Sequence, residues 1–270
     1  MKISFENVSA GYSKENPIIS GFSAEFNDGG ICGILGPNGS GKTTLLRVLS
    51  GIIPYNGHIK LVNEESGLEL STLSRKKLAS IIALTPQFSS IYFSYTVYET
   101  VLMGRYSHTG SMLTSIKGTS SLDKEKAIQA IEMTGLSDIS DRQLHELSGG
   151  QLQRVMLART FAQETPIILL DEPTNHLDIK YHIELMEYLK KWVEGTTTIE
   201  GATHKNTVIS VFHDIGDAAM VCNDILLIKD GKLIKKGPAR DTLSRDLLSD
   251  IFETDVISYY SNISSVFFND

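Results

Sequence analysis

Apolar and polar positions change period along this chain, and each change marks an element. Ile3, Phe5 and Val8 sit near alternation; Phe22, Ala24 and Phe26 alternate cleanly before the turn Asn27-Asp28-Gly29-Gly30. Period two predicts half-buried strands. Gly30 to Leu35 and Ile167 to Leu170 are instead continuous apolar runs, the pattern of strands covered on both faces. Gly57 to Val62, Ile81 to Leu84, Thr207 to Phe212 and Ile225 to Lys229 read as further strands, and Asp230-Gly231 is a hairpin turn into Lys232–Gly237. Helical signals run from Lys42 to Leu49, with Gly51 as the stop. They return after residue 87 and dominate to about residue 160. There Thr96-x-x-Glu99 is a capping box opening Val97–Met103, and Ala127, Ile128 and Ile131 mark one helical face. A helix from about Gly150 to Gln163 carries Leu152, Val155 and Met156 on its inner side. Gly110–Ser121 and Glu194–Asn206 are polar and rich in small residues, and read as surface loops. A small helical tail closes the chain.

Candidate chemistry collects where these strands end. Gly36-Pro37-Asn38-Gly39-Ser40-Gly41-Lys42-Thr43 fits G-x-x-x-x-G-K-[ST] between a strand and a helix. Its glycines let backbone N–H groups turn inward around a phosphate, aided by the helix N-terminus that Thr44 continues. Lys42 reaches phosphate oxygens as a point charge, and the Thr43 hydroxyl is a ligand for Mg²⁺. The apolar run at 167–170 ends in Asp171-Glu172, where Asp171 would hold the metal through water and Glu172 would orient or deprotonate the attacking water. His213 ends the strand at 207–212, Gln87 follows another, and Tyr12 lies in the loop between the first two. Leu147-Ser148-Gly149-Gly150-Gln151 is a second glycine turn at a helix start, and its bland role is an N-cap by Ser148.

These motifs, in this order, resemble the nucleotide-binding subunit of an ATP-binding cassette (ABC) transporter, over nearly the whole chain. The resemblance implies an α/β fold: a P-loop NTPase core with an antiparallel β subdomain and an inserted helical subdomain. Residues 1–87 and 160–236 would form the core with its β subdomain, 88–159 the helical insertion and 237–270 the tail. It further implies that Tyr12 stacks on adenine, that Gln87 touches Mg²⁺ or the attacking water, and that His213 donates to the γ-phosphate. Ser148, Gly149, Gly150 and Gln151 would meet the γ-phosphate of ATP held by a second subunit, with Asp178 of Asn175-His176-Leu177-Asp178 crossing the same interface. The implied assembly is a head-to-tail homodimer beneath transmembrane permease subunits, supplied by an extracytoplasmic substrate-binding protein and peripheral to the cytoplasmic face of the inner membrane. The stretches Thr96–His108 and Leu247–Val256 look most like importers of iron-siderophore, haem and cobalamin complexes. Aromatic residues between Phe88 and Tyr98 would line a groove for a permease helix. The competing class is a soluble ABC ATPase of an assembly pathway, such as iron–sulfur cluster building.

Composition alters this picture little. The net charge of −7 over 270 residues argues against a nucleic-acid partner. No apolar run approaches the ~20 residues of a membrane span, and Met1–Glu6 alternates like a strand rather than a signal peptide. Cys32 and Cys222 lie in apolar surroundings without metal-ligand spacing, as buried reduced thiols do.

Overall fold

The computed structural model describes residues 1–13, 15–63, 67–85, 94–108, 119–175 and 177–267. Within them the chain opens with β1 (Lys2–Ala10) and β2 (Ile19–Phe26), followed by β3 (Gly30–Leu35) and α1 (Lys42–Leu49). Then come β4 (Tyr55–Val62), β5 (Gly67–Glu69), α2 (Arg75–Ile81) and β6 (Ile82–Thr85). Three helices follow, α3 (Val97–Leu102), α4 (Ser121–Met133) and α5 (Gly149–Ala162), before β7 (Ile167–Asp171) and α6 (Ile179–Val193). The rest is β8 (Thr196–Ile199), β9 (Ala202–Lys205), β10 (Thr207–Val211), α7 (Ile215–Val221), β11 (Asp224–Lys229), β12 (Lys232–Pro238), α8 (Ala239–Thr242), α9 (Arg245–Phe252) and α10 (Val256–Phe267).

Two sheets carry the fold. The first is antiparallel, in the order β2-β1-β4-β5. The second runs β12-β11-β3-β10-β7-β6, parallel throughout except for β12. Alternation along β7 decides which layer each residue enters. Ile167 and Leu169 join a core shared with the antiparallel sheet and α1, while Ile168 and Leu170 join a core shared with α3, α4, α5 and α6. That double coverage explains why β3 and β7 show no polar alternation. The first core includes Phe5 edge-on to Phe22, ring centroids 5.5 Å apart. Such a pair contributes ~0.5–1.5 kcal/mol beyond burial alone.

The helical layer is tied back to the core by a buried cation. Arg105 donates to Asp123 at 3.0 Å, to the Ala162 carbonyl at 2.6 Å and to Glu164 at 2.8 Å. Asp123 also closes a capping box with Ser120 at the start of α4, so one carboxylate serves both the helix end and the buried guanidinium. The fold class expected from the sequence is therefore present: a mixed α/β core, an antiparallel sheet and a helical insertion.

Some expectations need correction. Glu194–Asn206 is not a loop: β8 and β9 pair as a hairpin, Thr196 opposite Lys205 and Ile199 opposite Ala202. Its two-residue turn, Glu200-Gly201, has φ +50° and +83°, the backbone that matches strand twist in tight hairpins. Its threonines form the strands rather than a flexible connection; Thr198 and Thr203 face each other at 3.1 Å. Ile128 lies on the exposed side of α4, whereas Ala127 and Ile131 are buried. Ile81 ends α2 instead of opening β6. Most of the predicted loop Gly110–Ser121 lies outside the described residues, and Ser121 belongs to α4.

Candidate nucleotide site

The parallel register brings three strand ends to one edge. Val211 is opposite Ile34 on one side and Asp171 on the other, so the chain leaves β3, β7 and β10 at a shared rim. Clefts outside the carboxyl ends of parallel strands are where α/β sheets bind ligands.

From β3 the chain turns through Gly36–Gly41 into α1. Gly39 and Gly41 have φ of +79° and +99°, left-handed values that glycine adopts without a Cβ penalty. A Cβ on Gly36 would lie 2.0 Å from the Ile228 carbonyl oxygen, so the loop passes flat against β11. Helix α1 has no side-chain cap, which leaves its first-turn N–H groups directed at the loop's interior. Lys42 Nζ donates to the carbonyls of Gly36 and Pro37 at 2.8 and 2.9 Å. Burial lowers the Lys42 pKa, and the nearby carboxylates of Glu172 and Asp171 oppose that shift. Ser40 Oγ is buried without a hydrogen-bond partner among the described residues, an open polar position inside the loop.

At the end of β7, Asp171 accepts a hydrogen bond from Thr43 Oγ1 at 3.1 Å. Its pKa is raised, chiefly by burial and further by Glu172, while the Thr43 hydrogen bond, Arg47 and Lys42 pull it down. A hydroxyl and a carboxylate this close form the hard oxygen donor set that suits Mg²⁺. Glu172 follows at φ +52°, a left-handed conformation that costs a non-glycine residue of order 1–3 kcal/mol. Hydrogen bonds to β10 and to Asn175, whose own N–H also donates to the Glu172 carbonyl at 3.2 Å, hold it there. Its N–H donates to the Val211 carbonyl at 3.1 Å, and Asn175 Nδ2 donates to its Oε2 at 2.6 Å.

A cleft of about 280 Å³ opens over the loop, lined by Gly36, Pro37, Asn38, Lys42, Glu172 and His213. Its far wall comes from the tail, through Phe252, Val256, Tyr259 and Tyr260. His213 is exposed at the rim. Tyr12 is 64% exposed, its hydroxyl accepts from Arg47 of α1, and the Arg47 guanidinium lies over its ring at 6.0 Å from the centroid, so an exposed aromatic ring stands beside the loop's helix. Thr44 is buried behind the loop.

Other expected residues are not gathered here. None of Ser148, Gly149, Gly150 and Gln151 lines the cleft. Ser148 caps α5, accepting from the Gln151 N–H at 3.3 Å, while the Gln151 side chain accepts from the Ser148 N–H at 2.9 Å. Asp178 caps α6, accepting from the Tyr181 N–H at 3.1 Å. Gln87 lies outside the described residues, as do Phe88 to Phe93; β6 ends at Thr85, beside Leu170. Sequence reasoning passed over Arg47, the brace from Asn175 and the tail's wall. Asn175 is three residues beyond Glu172 and could have been paired with it on a turn; the tail's approach has no local signal.

A family model described as ABC transporter matches residues 19–175. An uncharacterized ABC transporter ATP-binding protein of Bacillus subtilis is 36% identical over 93% of this chain and 53% of its own length. A cobalamin import ATP-binding protein of Halobacterium salinarum is 34% identical over 88% of the chain and 56% of its own length. The chain thus spans about half the length of these relatives. A petrobactin import ATP-binding protein of Bacillus subtilis is 32% identical, with 93% of this chain and 92% of that protein aligned. Among solved structures, a putative metal-chelate type transporter in an inward-facing conformation matches with TM-score 0.75 and 30% identity, over 94% of this chain and 89% of that one. A dimeric bacterial transporter cassette matches with TM-score 0.72 and 28% identity, over 88% and 99%.

Proposed function

Because the chain belongs to the ABC transporter ATP-binding family, we propose that it is the ATP-hydrolysing subunit of an importer for iron-siderophore, haem or cobalamin complexes. The observation that carries the activity is the shared rim of β3, β7 and β10. It holds an uncapped helix start, a buried lysine and two adjacent carboxylates around one cleft. Support for the substrate class comes from the relatives named for cobalamin and petrobactin import.

The loop N–H groups and Lys42 bind the phosphates, and Ser40 Oγ supplies a further polar contact inside the loop. Lys42 exchanges its two loop carbonyls for phosphate oxygens, so its charge is already desolvated before substrate arrives. Thr43 and Asp171 would hold Mg²⁺, which when bound would neutralise phosphate charge. Glu172, kept in place by Asn175, orients a water and accepts its proton. His213 donates to the γ-phosphate from the rim, and Tyr12 offers its exposed ring to the adenine. Catalysis of this kind is mainly positioning and charge stabilisation.

Ser148 and its neighbours stand away from this cleft, with their helix N-terminus presented to solvent. A second copy in head-to-tail orientation brings that turn to the γ-phosphate, and Asp178 crosses the same interface. ATP closes this dimer; hydrolysis removes the bridge and reopens it. The helical insertion passes the motion to permease subunits.

The test is co-expression with candidate permease subunits, followed by reconstitution in vesicles. ATP-dependent uptake of a ferric siderophore, haem or cobalamin is expected, and Glu172→Gln should abolish it. An active ATPase that neither joins the permease nor supports uptake would favour an assembly-pathway ATPase.

A further inference from the structure

The tail does more than close the cleft. Tyr260 of α10 crosses to the turn that follows His213. Its hydroxyl donates to Asp214 Oδ2 at 3.1 Å and accepts from the Gly216 N–H at 3.3 Å. Asp214 is thereby used at both oxygens, because Oδ1 accepts from the Asp217 N–H at 3.0 Å and caps α7. The Asp214 carboxylate sits close enough over Gly216 to need a glycine there, with the Tyr260 ring in ordinary contact beside it. A Cβ on Gly216 would lie 2.8 Å from Asp214 Oδ1 and 3.4 Å from Tyr260 Cε1. On its other side α7 is held by Asp217, whose Oδ1 lies 2.9 Å from His182 Nε2 of α6. The His213 turn is therefore gripped from two directions, and the grip on its exposed side comes from a segment some 45 residues later in the chain.

We infer that Tyr260 is a positioning residue for His213, acting through Asp214, so that the C-terminal helix tunes turnover at the phosphate cleft. The inference rests on the proposed ATPase reading of that cleft. An exposed histidine on a short connection samples many rotamers and backbone angles. Fixing the next residue at both carboxylate oxygens narrows that range before substrate binds, which is the physical content of preorganisation. Tyr260 lines the same cleft as Lys42 and Glu172 but leaves substrate contact to them.

Tyr260→Phe removes one oxygen and keeps the ring. In the full chain it is expected to lower kcat about fivefold, because the loss of its bonds to Asp214 and Gly216 reaches His213 only in part, with KM for ATP and fluorescent-nucleotide binding unchanged. Gly216→Ala, whose methyl would press on Asp214 Oδ1 and shift the carboxylate that Tyr260 holds, should show the same split. In a His213→Ala background Tyr260→Phe should have no further effect. Unchanged kcat in Tyr260→Phe, or a loss that multiplies undiminished onto His213→Ala, would overturn the inference while leaving the ATPase reading intact. Full turnover in His213→Ala itself would overturn the role assigned to that histidine, and this inference with it.

Discussion

Two glycine turns open helices in this protein, and they have opposite electrostatic states. At Gly36–Thr43 the helix start is uncapped and the following lysine is buried against the loop's own carbonyls. At Ser148–Gln151 the helix start is exposed and closed by a reciprocal capping box. Similar sequence chemistry yields one turn whose donors await an anion and one whose donors are already partly satisfied. A glycine turn before a helix is therefore not by itself an anion site. What separates the two is whether local side chains have taken up the first N–H groups, and whether carboxylates converge opposite.

The largest effect should come from freezing the state in which the two turns meet. Glu172→Gln keeps the size of the side chain and the Asn175 contact but accepts a proton poorly, so turnover is expected to fall about 10²–10⁴-fold. ATP binding should persist, and gel filtration should show an ATP-dependent dimer. Turnover within a few-fold of the parent would remove Glu172 from the mechanism.

A mixed dimer separates the turns directly. Lys42→Ala and Ser148→Arg homodimers should each lose about 10²–10³-fold in rate, as expected when one charge-stabilising group is removed. The mixed dimer retains one composite site and should bind ATP there. If it binds none, the head-to-tail arrangement fails and the second turn is only a helix start.

Ser148→Ala sharpens the contrast in stability. Loss of this cap should cost about 0.5–2 kcal/mol, read from a lowered urea midpoint. An unchanged midpoint would show that the capping box contributes nothing to α5.

The smallest effect concerns Asp171. Burial raises its folded pKa above the unfolded value, so folding favours the protonated form. Its contribution to stability is full below the unfolded pKa and is lost as pH rises through the folded one. At pH 7 the nucleotide-free Asp171→Asn protein, which cannot ionise there, should melt higher than the parent. The gain should shrink as pH falls toward about 4. A lower melting temperature at pH 7 would mean that the Thr43 and cation contacts outweigh desolvation.

Legibility in the sequence followed the number of covered faces. β3 and α1 have the bounds expected for them, because a strand buried on both sides and a helix started by the phosphate loop leave unambiguous patterns. α2 was harder: Leu78 and Ile81 point inward and run straight into β6 without a turn, so the end of a helix reads as a strand. The hairpin at 196–205 carries a loop-like pattern because threonine and glycine suit loops and tight hairpins alike. In the site, residue types near the loop were readable from spacing. The left-handed backbone of Glu172 and the approach of Tyr260 depend on contacts across the fold, which no local pattern encodes.

The two cysteines have a practical consequence. Cys32 is buried and unpaired, and burial pushes its thiol up to about 12. Cys222 is also unpaired, and burial raises its pKa as well. Since the thiolate is the reactive form, both are poor targets for maleimides at neutral pH, and the wild-type chain serves as its own low-background host. One cysteine at Asn38 and another at Ser148, placed in separate copies, would turn the proposed meeting of the two turns into a covalent band on a gel.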